Sequence, residues 1–135
     1  MPTIPTFKAT RFIRRLRGQT RAQLIVAEDG LQYVVKYSNN PVGRRVLVNE
    51  LISSLTLNNL DIRIPSMAFI WIDEEVLQRA PEIGVASDGN IAPPPHGLHF
   101  GCRYAGTDSK TVYDFIPDQM LSQVTNRNDF LGTLV

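Results

Sequence analysis

Alternation between apolar and polar positions divides the chain into short strands before any other property is needed. Residues 9–17 mix apolar and basic side chains in a strand-like run, Gly18, Gln19, Thr20 and Arg21 break it, and residues 22–27 resume it. Asp29-Gly30 is a hairpin signal, because both residue types tolerate positive φ at the centre of a tight turn. Residues 31–37 return as a strand rich in aromatic and β-branched side chains. Three consecutive antiparallel strands are the simplest arrangement.

The period then lengthens. Val48, Leu51, Ile52 and Leu55 recur at helical spacing, with Asn40 placed to cap the start, Pro41 at the first helical position and Asn58-Asn59 closing the end. Residues 60–65 form a connector. Residues 66–73, with the run Met67, Ala68, Phe69, Ile70, Trp71, Ile72, predict a fourth strand apolar enough to be covered on both faces, and residues 74–79 a helical turn. Residues 81–97 hold Gly84, Gly89, Gly97 and four prolines, which predicts an exposed loop. Residues 98–104 resume as a fifth strand, 105–109 turn the chain, 117–121 open a short helix and 128–135 begin a further apolar helical pattern. The fold class is α+β: an antiparallel sheet of about five strands, one main helix and a C-terminal helical stub.

Length and composition agree with one domain. A chain of 135 residues with 43% hydrophobic and 20% charged content can bury a modest core but not two. The net charge of +1 hides an asymmetry: residues 1–45 carry nine Lys/Arg against two Asp/Glu, and residues 46–135 five against eleven. The basic end is therefore the place to expect an anion. Cys102 is the single cysteine, so no intramolecular disulfide or cysteine-based metal site is possible, and a reducing compartment is the default. Met1-Pro2-Thr3-Ile4-Pro5 lacks the apolar run of a signal peptide, and no segment reaches membrane-spanning length. Cytoplasmic placement, without a membrane partner, is the expectation.

Lysine is depleted from strands, so Lys36 after Val34-Val35 needs a reason: a solvated edge, or an ammonium aimed at phosphate oxygens. Glu50 follows fourteen positions later inside the helical pattern. Such a pair is how a protein kinase small lobe anchors a nucleotide, the carboxylate holding the ammonium toward the phosphates. Gly18 falls between the first two strands, where backbone N–H groups could cover phosphates, although a plain hairpin turn explains it equally well. Arg44 and Arg45 lie at the unfavourable, positive end of the helix macrodipole. They contribute to a nucleotide or to a partner's acidic surface, or form a solvated helix face.

Other constellations carry less. Arg11, Arg14, Arg15, Arg17 and Arg21 would be split between two strand faces and follow no nucleic-acid reader motif, so no nucleic acid is expected. His96 and His99 lack a third nearby ligand and are read as loop histidines, with no metal site. Asp129-Phe130-Leu131-Gly132 carries one residue too many for the kinase magnesium motif, and no catalytic loop precedes it. No catalytic residue is assigned.

The stretches Asp29-Gly30, Tyr33-Val34-Val35-Lys36-Tyr37 and Asn40-Pro41-Val42-Gly43-Arg44-Arg45-Val46-Leu47-Val48-Asn49-Glu50 closely resemble the bacterial HipA-like kinase domain. Phe100-Gly101-Cys102-Arg103-Tyr104 and Tyr113-Asp114-Phe115 extend the resemblance over most of the chain from about Gly18. The resemblance implies a kinase-like fold, ATP with Mg2+ as phosphate donor, and serine or threonine as acceptor. Carried over, it implies that Lys36 contacts the phosphates and Glu50 orients Lys36. Gly18, Gln19 and Thr20 form the covering loop, and residues 104–106, beginning at Tyr104, approach the adenine. Family members continue beyond the position of Val135 into a larger lobe bearing the catalytic aspartate and metal ligands. Their loop is also richer in glycine and serine.

The resulting expectation is a kinase-like N-terminal lobe at residues 1–106, with residues 107–135 as hinge and start of a truncated C-terminal lobe. It would bind ATP but be incomplete for phosphoryl transfer. The alternative is a non-catalytic stand-alone lobe that binds and regulates a separate kinase large lobe.

Overall fold

In the computed structural model, residues 3–106 and 116–128 are described. Strands β1 (Thr6–Arg15), β2 (Gln23–Ala27) and β3 (Gln32–Lys36) form an antiparallel meander, followed by helix α1 (Arg45–Asn59), strand β4 (Met67–Ile72) and the short helix α2 (Glu74–Arg79). A small hairpin of β5 (Val85–Ser87) and β6 (Asn90–Ala92) precedes β7 (Gly97–Arg103), and a 3-10 turn covers Asp118–Gln123. The expected helical pattern of residues 128–135, the 107–115 segment and the Asp129-Phe130-Leu131-Gly132 sequence lie almost wholly outside the described residues, as does the proposed hinge.

The expected antiparallel sheet is corrected in one respect. Five strands close into a barrel in the order β1-β2-β3-β7-β4, and the closing seam, Thr6 to Phe69 and Lys8 to Trp71, is parallel. The other four pairings are antiparallel. Two bulges in β1, at Thr10 and Ile13, increase its curvature and allow the ring to close.

Period-two alternation sends Ile25 and Ala27, Tyr33 and Val35, and Ala68, Ile70 and Ile72 into the barrel. Ile25, Val35, Ile70 and Ile72 are fully buried, and each contributes roughly 1.5–3 kcal/mol by leaving water. Two polar side chains share this interior. Gln23 donates from Nε2 to the Glu82 and Gly84 carbonyls, and its Oε1 accepts from the Gly84 N–H and the Tyr37 hydroxyl. Buried amides persist where their bonds are this complete. His99 is the second, and it is not a loop residue as its proline neighbours suggest. It sits on β7, with Nδ1 accepting from the Ser38 N–H and Nε2 against the Pro95 carbonyl at 2.8 Å. Burial holds its pKa below the ordinary histidine value.

Three local expectations are also corrected. Asn40 does not cap α1: its Oδ1 accepts from the Val42 and Gly43 N–H groups, making a separate turn, and the helix starts at Arg45 with Arg44 in the capping position. Pro41 belongs to that turn. The 81–97 segment is not simply an exposed loop, since Ile83 and Val85 are buried and β5 pairs with β6. At the β2–β3 hairpin only Gly30 takes positive φ; a three-residue connection closes between Ala27 and Leu31, with the Asp29 carboxylate accepting from the Leu31 N–H.

Candidate functional site

Because alternate residues point inward, Leu24, Val26, Val34, Lys36, Phe100 and Cys102 share the outer face. Register makes one row of Arg14, Leu24, Val34 and Cys102 across four strands. The neighbouring row pairs Lys36 with Phe100. Phe100 is buried although it points outward, and α1 packs against β7.

That packing brings Glu50 to Lys36. The ammonium and the Glu50 Oε1 form an ion pair, with the side chains 20% and 35% exposed. Such a pair is shielded enough to fix the lysine's direction yet open enough for a ligand to reach it. Cys102 lies beside it: burial, reinforced by the Glu50 carboxylate and partly offset by Lys36, pushes the thiol above its ordinary range. An apolar strip of Leu24, Val34 and Cys102 is therefore flanked by a held cation.

The remaining candidate residues lie around this strip. Gly18 and Gln19 line a cleft of about 700 Å³ with Arg15, Arg17, Arg21, Pro41 and Val42. Lys36 is not among its lining residues, and Thr20 is half-buried beside it in the chain. Gln23 pairs with Val35, so this turn sits at the Lys36 end of the sheet. Tyr104 sits at the other end, where its N–H donates to the Gln32 carbonyl at 2.8 Å and it lines a second cleft with Gly30, Gln32 and Pro65. Lys36 and Gln32 are four residues apart, so roughly 13 Å of strand separates the two ends.

Arg44 and Arg45 are exposed and form no ion pair with a described residue. Two residues of the strip went unnoticed in the sequence. Composition and spacing do not single out Arg14 among its neighbouring arginines or place Cys102 beside Lys36; the register across four strands is what puts both on this face. Among the described residues no group of three His, Cys, Asp or Glu is placed to hold a metal. No helix of the described residues is long and apolar enough to cross a membrane.

A family model described as HipA-like kinase matches residues 10–112, most of the 135-residue chain. The chain belongs to the HipA-like kinase family. No curated protein and no solved structure matches it. The matched span takes in strands β2 to β7 and α1, so both members of the Lys36–Glu50 pair fall inside it. Membership assigns the chain a kinase-related function.

Proposed function

We propose that this chain is the ATP-gripping N-terminal lobe of a HipA-like kinase, incomplete for phosphoryl transfer on its own. The observation that carries the reading is the ion pair of Lys36 and Glu50 beside an outward apolar strip. The donor set fits a nucleotide: an ammonium for phosphate oxygens, an apolar surface for a base, and backbone groups at the far end for the base edge.

When bound, ATP with Mg2+ supplies the transferable phosphoryl group and the charge that offsets its oxygens. The chain's own residues hold and orient it. Lys36 contacts the phosphates and Glu50 limits the ammonium to one direction, which lowers the entropy lost on binding. Gly18, Gln19 and Thr20 offer backbone N–H groups at the phosphate end. Leu24, Val34 and Cys102 exclude water beneath the base. The Tyr104 N–H is already committed to Gln32, so its carbonyl and the backbone of residues 105–106 are the groups left to read the base edge. The base that activates a serine or threonine acceptor, and the carboxylates that hold magnesium, come from a larger lobe.

Isothermal titration of ATP with Mg2+ tests this. Lys36→Met should weaken binding about tenfold, the loss of one charge-assisted contact of about 1.4 kcal/mol. Equal affinity in the variant removes Lys36 from the site, and rapid phosphate transfer by the isolated chain removes the division of labour.

A second reading is a non-catalytic module that docks on and regulates a separate kinase large lobe. Helix α1 favours it: Val48 and Ile52 are more than half exposed and no residue of the helix is buried. Docking onto a large lobe without nucleotide, unchanged by Lys36→Met, selects this reading.

A further inference from the structure

Leu24 is only 2% exposed although it points to the outer face. The packing between helices and strands is concentrated where α1 meets β7 and α2 meets β1, away from β2. Among the described residues a side-chain contact spans the strip. The Arg14 guanidinium, on β1, donates from Nη2 to the Tyr104 hydroxyl at 3.2 Å, and its Cζ lies 6.0 Å from the centroid of that ring. Between them run β2 and β3, so the two backbones are about 14 Å apart at 4.8 Å per strand. Leu24 and Val34 share Arg14's register row, so along the outer face the contact reaches across these two positions. Tyr104 is braced from behind as well: a Cβ on Gly106 would lie 2.4 Å from ring atom Cε1, so only glycine leaves the ring room to fold back.

We propose that Arg14 and Tyr104 form a latch across the apolar strip, which must open before a base can lie on Leu24 and Val34. The inference rests on the nucleotide reading for its ligand, but the latch itself is a property of the free chain. Closed, it shields the strip from water with a cation and a phenol, both of which regain full hydration when they part. The contact is a single bond from a charged donor at the surface, strong enough to set a population and weak enough to be displaced. Access to the site is thereby governed by two residues that need not touch the phosphates.

Cys102, the only cysteine, lies on the same strip two residues before Tyr104 and reports on the latch without any ligand. Its reaction with a neutral maleimide should be roughly three- to tenfold faster in Tyr104→Phe, Arg14→Ala and Gly106→Ala than in the wild type, because each raises the open fraction. The Tyr104→Phe change keeps the ring and removes only the bond, so it guards against loss of folding in the others. Unchanged labelling in all three overturns the latch.

Affinity for adenosine, which carries no phosphate and is insensitive to the lost charge of Arg14, should improve by a similar factor in the same variants. Equal or weaker adenosine binding in variants that label faster shows that the contact helps rather than bars the base, and overturns the gating role. If no protein binds ATP or adenosine, the nucleotide reading and the gating role fall together, while the labelling rates still decide whether the contact covers the strip.

Discussion

The hydroxyl of Tyr37 donates to the buried Oε1 of Gln23 at 2.6 Å, while Gln23 Nε2 reaches the Gly84 carbonyl at 2.8 Å. One amide thus ties the β2–β3 hairpin to the segment that leads into β5. Burial pushes the Tyr37 phenol far above its ordinary range, so its hydroxyl remains a donor at neutral pH. Gln23→Leu leaves the Tyr37 hydroxyl and the Gly84 N–H without their partner and should cost about 2–4 kcal/mol. Urea unfolding measures it. Hydrogen exchange should show residues 82–86 losing protection first; a uniform loss would mean that Gln23 does not tether them separately.

Glycine 84 marks the other side of the same junction. Its φ is +145°, and a Cβ there would lie 2.4 Å from the Ala92 carbonyl oxygen. Gly84→Ala should cost more than about 2 kcal/mol, because backbone strain and displacement of β6 act together. Gly89→Ala, at φ +81° but facing open space, should cost only about 1–2 kcal/mol. Thermal unfolding of the two variants tests the ranking, and equal losses would leave strain as the whole effect.

His99 makes stability fall toward acid. Burial depresses its native pKa, so the folded barrel keeps the ring neutral while the unfolded chain takes a proton once the pH drops below about 6.5. The stabilisation is complete above that value and is lost as pH falls through the lower native pKa. Denaturant midpoints of wild type and His99→Gln measured from pH 7.5 to 5 should converge on acidification. Parallel curves would rule the ring out as the cause.

Glu50→Gln separates direction from charge at the candidate site. Global stability should change by no more than about 1 kcal/mol, because the pair is partly solvated. ATP affinity should fall several-fold, less than in Lys36→Met, since the ammonium remains but is no longer held. Calorimetry of both variants checks the order; a larger effect from Glu50→Gln would place the carboxylate in direct contact with the ligand.

Local chemistry made much of this legible. The β-branched and aromatic run of residues 31–37 and the apolar run from Met67 to Ile72 declared strands, and Lys36 stood out because lysine is a poor strand former. Non-local choices stayed hidden. Asn40-Pro41 has the chemistry of a helix start, but the Asn40 side chain satisfies a tighter turn first, which displaces the helix to Arg45. The 81–97 segment reads as loop because its glycines and prolines mask the burial of Ile83 and Val85 and the anchoring of Gly84 by Gln23, 61 positions earlier. Ring closure depends on Thr6 meeting Phe69, and neither residue announces the other.

That seam orders events on the ribosome. The meander from β1 to β3 can assemble as soon as it emerges, since its contacts are between near neighbours, but its first strand keeps an open flank until β4 has been synthesised. Joining two stretches so distant in the chain carries a loop-closure entropy that only the completed interior offsets. Once joined, Thr6 to Lys8 no longer offer a free flank to a neighbouring molecule, which removes one template for strand addition.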